Sequence, residues 1–130
     1  MYSEYSENRR WHQDISGSLK VSASTDDTTL VTVRNANHTI FLQKLHMSVT
    51  GPSAGKTWQV TDNSASPVEL TGPFGADVDG AHFDRDFGPK GVPLTEGQSL
   101  RLDVSATGAA GIVTWEGYQQ LTRTAAATAV

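Results

Sequence analysis

Cysteine is absent from all 130 residues, which excludes disulfides, thiolate catalysis and zinc sites built on cysteine. Basic residues are also few, because ten Lys and Arg stand against fourteen Asp and Glu, for a formal net charge of −4. A nucleic-acid binder would need a basic patch that neutralises phosphates, so this balance argues against a nucleic-acid partner. A chain of this length can hold one domain together by burying apolar side chains alone.

Long apolar runs are missing as well. No stretch approaches the roughly 20 apolar residues that a membrane-spanning helix needs. The first sixteen residues, MYSEYSENRRWHQDIS, contain no apolar core of a signal peptide. The sequence therefore predicts a soluble protein that is made in a cytoplasm and has no membrane partner.

The longest regular stretch is residues 38–50, HTIFLQKLHMSVT, which contains neither Gly nor Pro and is typical of one long strand. Ile40 and Leu42 share one parity, whereas the apolar residues from Leu45 onward share the other. An extra residue at Gln43 or Lys44 would return both halves to one face, as a β-bulge does. We therefore expect a central strand with a bend.

Short strand patterns separated by turn residues fill the rest of the chain from Leu19 to Gln119. They predict an all-β fold, an antiparallel β-sandwich of about eight strands that resembles a jelly roll and carries extended N- and C-terminal arms. The predicted parts are an arm over residues 1–16, the sandwich over 17–122 and a tail over 123–130. The tight connections at 35–37 and 107–111 predict hairpins between the strands that they join.

Candidate partner-contact residues concentrate in the N-terminal arm, which is either a solvated tail or a segment that orders against another chain. Aromatic and Arg side chains are enriched at interface anchors, and Trp11 is the strongest anchor candidate. Phe74 lies in a long loop over residues 72–81 and either folds back on the core or is presented outward. The candidates are Tyr2, Tyr5, Arg9, Arg10, Trp11 and Phe74.

Residues 51–57, GPSAGKT, imitate both a hydrolase nucleophile elbow and a phosphate-binding loop. Both motifs need a helix directly after the loop, but TWQVTDN follows with the pattern of a strand. The phosphate-loop version is also one residue short between its glycines. A hairpin loop is therefore the better prediction.

The sequence gives only weak support for a metal-binding site. Asp77, Asp79 and Gly80 resemble the start of a calcium loop, but the closing bidentate Glu and the flanking helices are missing. The four histidines show no metal-binding spacing on one face, so only folding could bring His46 and His82 together with an Asp. No catalytic residue, metal or cofactor is predicted, and the chain is not expected to be an enzyme.

Two segments resemble small β-sandwich capsid decoration (cementing) proteins of tailed bacteriophages. The first matches an "H-T-I-x-[VL]-Q" strand, here His38 to Gln43, and the second matches "DFGPxGxxLTEGxxL", here Asp86 to Leu100. An aromatic-rich last strand follows, with Trp115, Glu116 and Tyr118. The resemblance covers about residues 35–121.

The resemblance implies a structural virion protein on the outer surface of the capsid, where the major capsid protein is its partner. It also implies a homo-oligomer, a dimer or a trimer, on the particle. The alternative is a carbohydrate- or receptor-binding β-sandwich of a virion, which would stack sugar rings on Trp58, Trp115 or Phe74. Trp58 and Trp115 lie in strand patterns that predict burial instead.

Overall fold

The computed structural model describes residues 12–62, 64 and 70–121, and strands are the regular elements of these residues. In chain order they are β1 (His12–Val21), β2 (Thr28–Val31), β3 (His38–Gly51), β4 (Thr57–Asp62), β5 (Phe74–Gly75), β6 (His82–Asp86), β7 (Val92–Pro93), β8 (Leu100–Val104) and β9 (Ala110–Leu121).

The strands form two antiparallel sheets that pack together as a sandwich. Sheet A has the order β1-β9-β3-β6, with β7 also paired to β3, and sheet B has the order β2-β8-β4-β5. The chain crosses between the sheets at every connection except β4 to β5 and β6 to β7. This arrangement is an antiparallel jelly roll, which confirms the predicted fold class.

The predicted bend in the central strand is confirmed. The register of β3 against β9 shifts between Leu42 and Lys44, so Gln43 is the extra residue of a bulge. Ile40, Leu42, Leu45, Met47 and Val49 are all buried at 1% exposure or less. The bulge therefore keeps these five side chains on the core face although the sequence alternation breaks.

Each irregularity of β3 faces a glycine of β9. Gly117 lies opposite the bulge at Gln43, and a Cβ there would overlap the carbonyl oxygen of Phe41. A second register shift, between Val49 and Gly51, lies opposite Gly111. The two strand backbones approach too closely at these points for any side chain.

The two predicted hairpins are wrong. β2 pairs with β8 while β3 pairs with β9, so the connection at 35–37 crosses between sheets. Residues 107–111 also cross, from β8 in sheet B to β9 in sheet A. Ala109 is only 3% exposed, because this connection passes through the end of the core instead of turning outside one sheet. The loop before β4 likewise joins the two sheets and is not a hairpin.

The boundary predicted for the N-terminal arm is also corrected. β1 begins at His12, so residues 12–16 pair with β9 and belong to the sheet. Ile15 is only 9% exposed, which explains why this segment is held. The remainder of the predicted arm and the predicted tail lie outside the described residues.

Candidate interaction surface

Most of the predicted contact residues cannot be placed. Tyr2, Tyr5, Arg9, Arg10 and Trp11 lie outside the described residues, so their role stays a prediction.

Phe74 lies in β5, where it pairs opposite Trp58 of β4. Its ring centroid lies 6.3 Å from that of Trp58 and 6.2 Å from that of Phe83. Of the two alternatives, Phe74 therefore folds back and packs against the core, although it remains partly exposed.

The outer face of sheet A is a broad polar surface, and its side chains stand in rows across the strands. One row runs Ser16, Glu116, Lys44 and Asp86, and the next runs Ser18, Thr114, His46 and Asp84. In the first row the Lys stands between two carboxylates on neighbouring strands, the arrangement in which opposite charges attract. The predicted outward orientation of His46 is confirmed by its place in the second row.

Three adjoining open depressions lie on this face, with volumes of about 490, 480 and 370 Å³. Glu116 lines all three, and Lys44 lines two of them. Small-molecule sites are usually concave and mostly apolar, whereas this surface is shallow and charged. It suits a broad protein contact with several hydrogen bonds better than an enclosed ligand.

A row of aromatic rings crosses the same face. The Tyr118 ring stacks on His12 with centroids 4.8 Å apart and on Phe41 with centroids 4.9 Å apart. These spacings match the distance between neighbouring strands, so the rings stand upright on the sheet. Both faces of Tyr118 are therefore covered, which leaves no flat platform there for a sugar ring.

The tryptophans predicted to be buried are buried, since Trp58 is 1% exposed and Trp115 is 8% exposed. Phe74 is packed between Trp58 and Phe83. The carbohydrate-binding alternative thus loses the stacking platform on which it depended.

The segment from Asp86 to Gly97 is hydrogen-bonded to the backbone of β3. Phe87 N donates to Gln43 O at 2.7 Å, Leu94 N to Ile40 O at 2.9 Å, and Gly97 N to His38 O at 2.8 Å. Side chains fasten the same segment, because Gln43 Nε2 donates to Pro89 O at 2.6 Å and the Tyr118 hydroxyl donates to Lys90 O at 2.7 Å. Both sequence motifs of the resemblance therefore form one structural unit.

Asp62 ties this unit to sheet B. Its carboxylate is fully buried and accepts hydrogen bonds from Thr95 N at 2.8 Å and from the Ser64 hydroxyl at 2.8 Å. Burial raises the pKa of Asp62, but the hydrogen bonds from Thr95 and Ser64 outweigh it and hold the pKa below its usual value. Ser64 is a local donor two residues away, whereas Thr95 lies on a distant loop that only the fold brings near.

His38 opens the first motif and is 5% exposed. Its Nδ1 lies 2.7 Å from Oδ1 of Asn35, and an amide oxygen can only accept, so Nδ1 carries the proton. Burial, followed by the positive charge of Arg34, lowers the pKa of His38.

The sequence motifs that resemble catalytic or metal-binding sites do not form such sites in the described residues. The strand predicted after residues 51–57 is confirmed as β4, and both imitated motifs would need a helix there. Asp77 and Asp79 lie on the loop before β6. Within the described ranges, no cluster of three His, Asp or Glu side chains could hold a metal ion. The same residues include no helix long and apolar enough to cross a membrane.

The two edges of sheet A differ. One edge is formed by β6 and β7, and the other by β1, whose ten residues pair with β9 in an unbroken register. On the outer face of β1 the side chains of Asp14 and Lys20 are exposed. The sequence prediction placed residues 12–16, half of β1, in the arm and therefore missed this edge. The alternation of Ile15, Leu19 and Val21 was a signal for a strand here.

No family model matches the sequence and no curated protein matches it. Among solved structures, one match is the virus-like particle of the extra small virus of the giant freshwater prawn Macrobrachium rosenbergii. The identity is 9%, the match covers 83% of this chain and 79% of that chain, and the TM-score is 0.39. A similarity this distant carries no argument about function.

Proposed function

We propose that this protein is a structural component of a virion, a decoration or cementing protein that binds the outer surface of a tailed-phage head. In that position it joins neighbouring subunits of the major capsid protein. The observation that carries the proposal is the physical unity of the two segments that resemble such proteins. They lie more than forty residues apart in the sequence, yet hydrogen bonds join them along the edge of β3.

The outer face of sheet A supports a binding role. Its rows of Ser, Thr, Lys, Glu and Asp side chains form a broad and shallow surface around Glu116. The fold alone does not decide the matter, because jelly rolls serve as capsid proteins and as lectins. The lectin-like alternative has no comparable support, since Trp58 and Trp115 are buried in the core.

The mechanism is thermodynamic linkage. A protein that binds the expanded shell and not its precursor stabilises the expanded state at every occupied site, by about 2.7 kcal/mol at a free concentration 100 times the Kd. Many modest contacts on one closed shell then act together.

The test uses particles of the virus that encodes the chain. The copy number of the protein relative to the major capsid protein is measured by quantitative mass spectrometry, and stripped heads are compared with heads to which purified protein has been added back. We expect many copies per head and a higher temperature of head rupture after addition. Absence from the particle, or only a few copies per particle, would sink the decoration role.

The arm hypothesis for Tyr2, Tyr5, Arg9, Arg10 and Trp11 has a separate test. A chain that lacks residues 1–11 keeps all of β1 and therefore the complete described sandwich. If the arm contacts the capsid, the shortened chain binds stripped heads more weakly than the full chain does. Equal binding would reject the arm and leave the decoration role intact.

A further inference from the structure

The exposed edge of β1 has the properties of a strand that pairs with another strand. It is ten residues long and its register against β9 shows no bulge. The other sheet edges are short or interrupted, since β2 has four residues, β5 has two, and β6 is separated from β7 by Pro89. Proteins normally protect long edges with proline, bulges, charged side chains or a covering segment, and β1 has no proline and no bulge and carries charges of opposite sign, Asp14 and Lys20. Among the described residues no strand pairs with the outer side of β1.

We propose that β1 is a self-association surface, which pairs antiparallel with β1 of a second copy of this chain about a two-fold axis at Gly17. The dimer would join the two copies of sheet A into one continuous sheet. The inference concerns the isolated protein in solution and does not depend on the proposed virion role.

Symmetry restricts the register. In an antiparallel pair related by a two-fold axis, one residue must lie opposite its own copy, because the axis passes between two directly opposed residues. Directly opposed residues also point to the same side of the sheet. Only registers centred on a single residue of β1 are therefore possible.

The register centred on Gly17 matches the side chains on both faces. On the outer face, Asp14 lies opposite Lys20 of the second copy, and Lys20 lies opposite the second Asp14. On the core face, Ile15 lies opposite Leu19 of the second copy, and the reverse pair repeats the contact. A dimer thus gains two pairs of opposite charge and two apolar pairs.

Neighbouring registers lack this complementarity. A centre at Ser16 places Lys20 opposite His12 and Asp14 opposite Ser18. A centre at Ser18 places Lys20 opposite Ser16 and leaves Asp14 beyond the end of the partner strand. Charge complementarity therefore selects both the occupant, a second copy, and the register.

The charged pairs are available for this contact. The Asp14 side chain is 91% exposed although its Oδ1 lies 3.2 Å from His12 Nε2 of the same strand, and Lys20 is exposed as well. They lie six positions apart along one strand, a distance of roughly 20 Å, so they do not neutralise each other within one chain. This distance between the two charges exceeds the Debye length at physiological salt, so their attraction within one chain is screened.

Charge reversal tests the proposal by sedimentation equilibrium on the full chain. Asp14→Lys and Lys20→Asp each create two like-charge pairs in the dimer, whereas the double variant restores two opposite pairs with the signs exchanged. We expect each single variant to raise the dimer Kd by about tenfold or more, and the double variant to return close to the wild-type value. Asp84→Lys, a reversal at another exposed carboxylate, on β6 at the opposite edge, is the matched control and leaves the Kd unchanged.

Disulfide trapping tests the register. The native chain has no cysteine, so Ser16→Cys and Ser18→Cys each introduce the only thiol. Residue 16 of one copy lies opposite residue 18 of the other, within the Cα separation that a disulfide accepts. An oxidised mixture of the two variants should therefore give mixed disulfide dimers faster than either variant alone.

Three outcomes would overturn the proposal. One is a wild-type chain that stays monomeric over the whole concentration range. Another is a dimer whose Kd is insensitive to both single reversals, which would place the contact elsewhere. The third is trapping of the two single-cysteine variants at equal rates alone and mixed, which would exclude the register at Gly17.

Discussion

The two edges of sheet A differ in how their strands end the sheet. At the β6 and β7 edge the chain is broken by Pro89 and Pro93, and the connecting segment is hydrogen-bonded to β3 along its length. At the β1 edge ten residues run without proline or bulge. The first edge is closed by the chain itself, whereas no strand of the described residues pairs with the outer side of the second. Substitutions at the closed edge should therefore change folding stability, whereas substitutions at the β1 edge should change association.

The largest effect is expected at the bulge beside the closed edge. In Gly117→Ala the new Cβ meets the backbone of Phe41 and Leu42, which cannot move without breaking the sheet. We expect the free energy of unfolding to fall by about 3 kcal/mol, measured by denaturant titration.

Gly17→Ala on β1 is the matched substitution, and its Cβ would lie 2.7 Å from a ring carbon of Trp115. A side chain can shift where a backbone cannot, so the loss should be clearly smaller. Equal losses at both glycines would contradict the role assigned to the bulge.

The next effect concerns Asp62, whose carboxylate joins the closed edge to sheet B through Thr95 N. In Asp62→Asn one acceptor oxygen becomes a donor that faces other donors, and we expect a loss of about 1–3 kcal/mol at neutral pH.

The pH dependence of the wild type gives a second measurement on Asp62. Since its pKa is lowered in the folded state, the unfolded chain binds more protons, and the stabilisation is present above the unfolded pKa of about 4 and is lost as the pH falls through the folded value. The Asn variant should show a weaker loss of stability on acidification. A parallel acid profile in both proteins would reject this assignment.

A smaller effect is expected from Tyr118→Phe, which keeps the stacked ring and removes only the hydrogen bond to Lys90 O. The free energy of unfolding should fall by about 0.5–1.5 kcal/mol. Lys20→Asp on β1 is the comparison, and it should change the unfolding free energy of the monomer by less than about 0.5 kcal/mol. A larger loss in Lys20→Asp than in Tyr118→Phe would reverse the proposed difference between the edges.

The smallest effect concerns His38, at the start of β3. Its lowered folded-state pKa means that the unfolded chain binds more protons near and below pH 6.5, so stability is full above that pH and decreases as the pH falls toward the folded value. Denaturant titrations between pH 7.5 and pH 5 should show this decrease, and His38→Gln should reduce it. If the free energy of unfolding of His38→Gln decreased between pH 7.5 and pH 5 as much as that of the wild type, the pH dependence would belong to another group.

Local pattern was sufficient for much of the scaffold. The parity change at Gln43 predicted the bulge in β3, and the strand patterns around Trp58 and Trp115 predicted that both side chains are buried. These predictions succeeded because side-chain direction along a strand is a local property with a period of two residues.

The sequence by itself thus determined most of the strands, the buried face of β3 and the absence of thiol chemistry, but it predicted a loop over residues 72–81, where the structure has the short strand β5. Only the tertiary structure decided which strands pair, since the short connections at 35–37 and 107–111 are equally compatible with a hairpin and with a crossing between sheets. It also decided that Asp62 meets Thr95 and that Asp14 and Lys20 lie on a strand whose outer side pairs with no other strand of the described residues. Pairing and edge exposure depend on where distant segments come to lie, which no local period encodes.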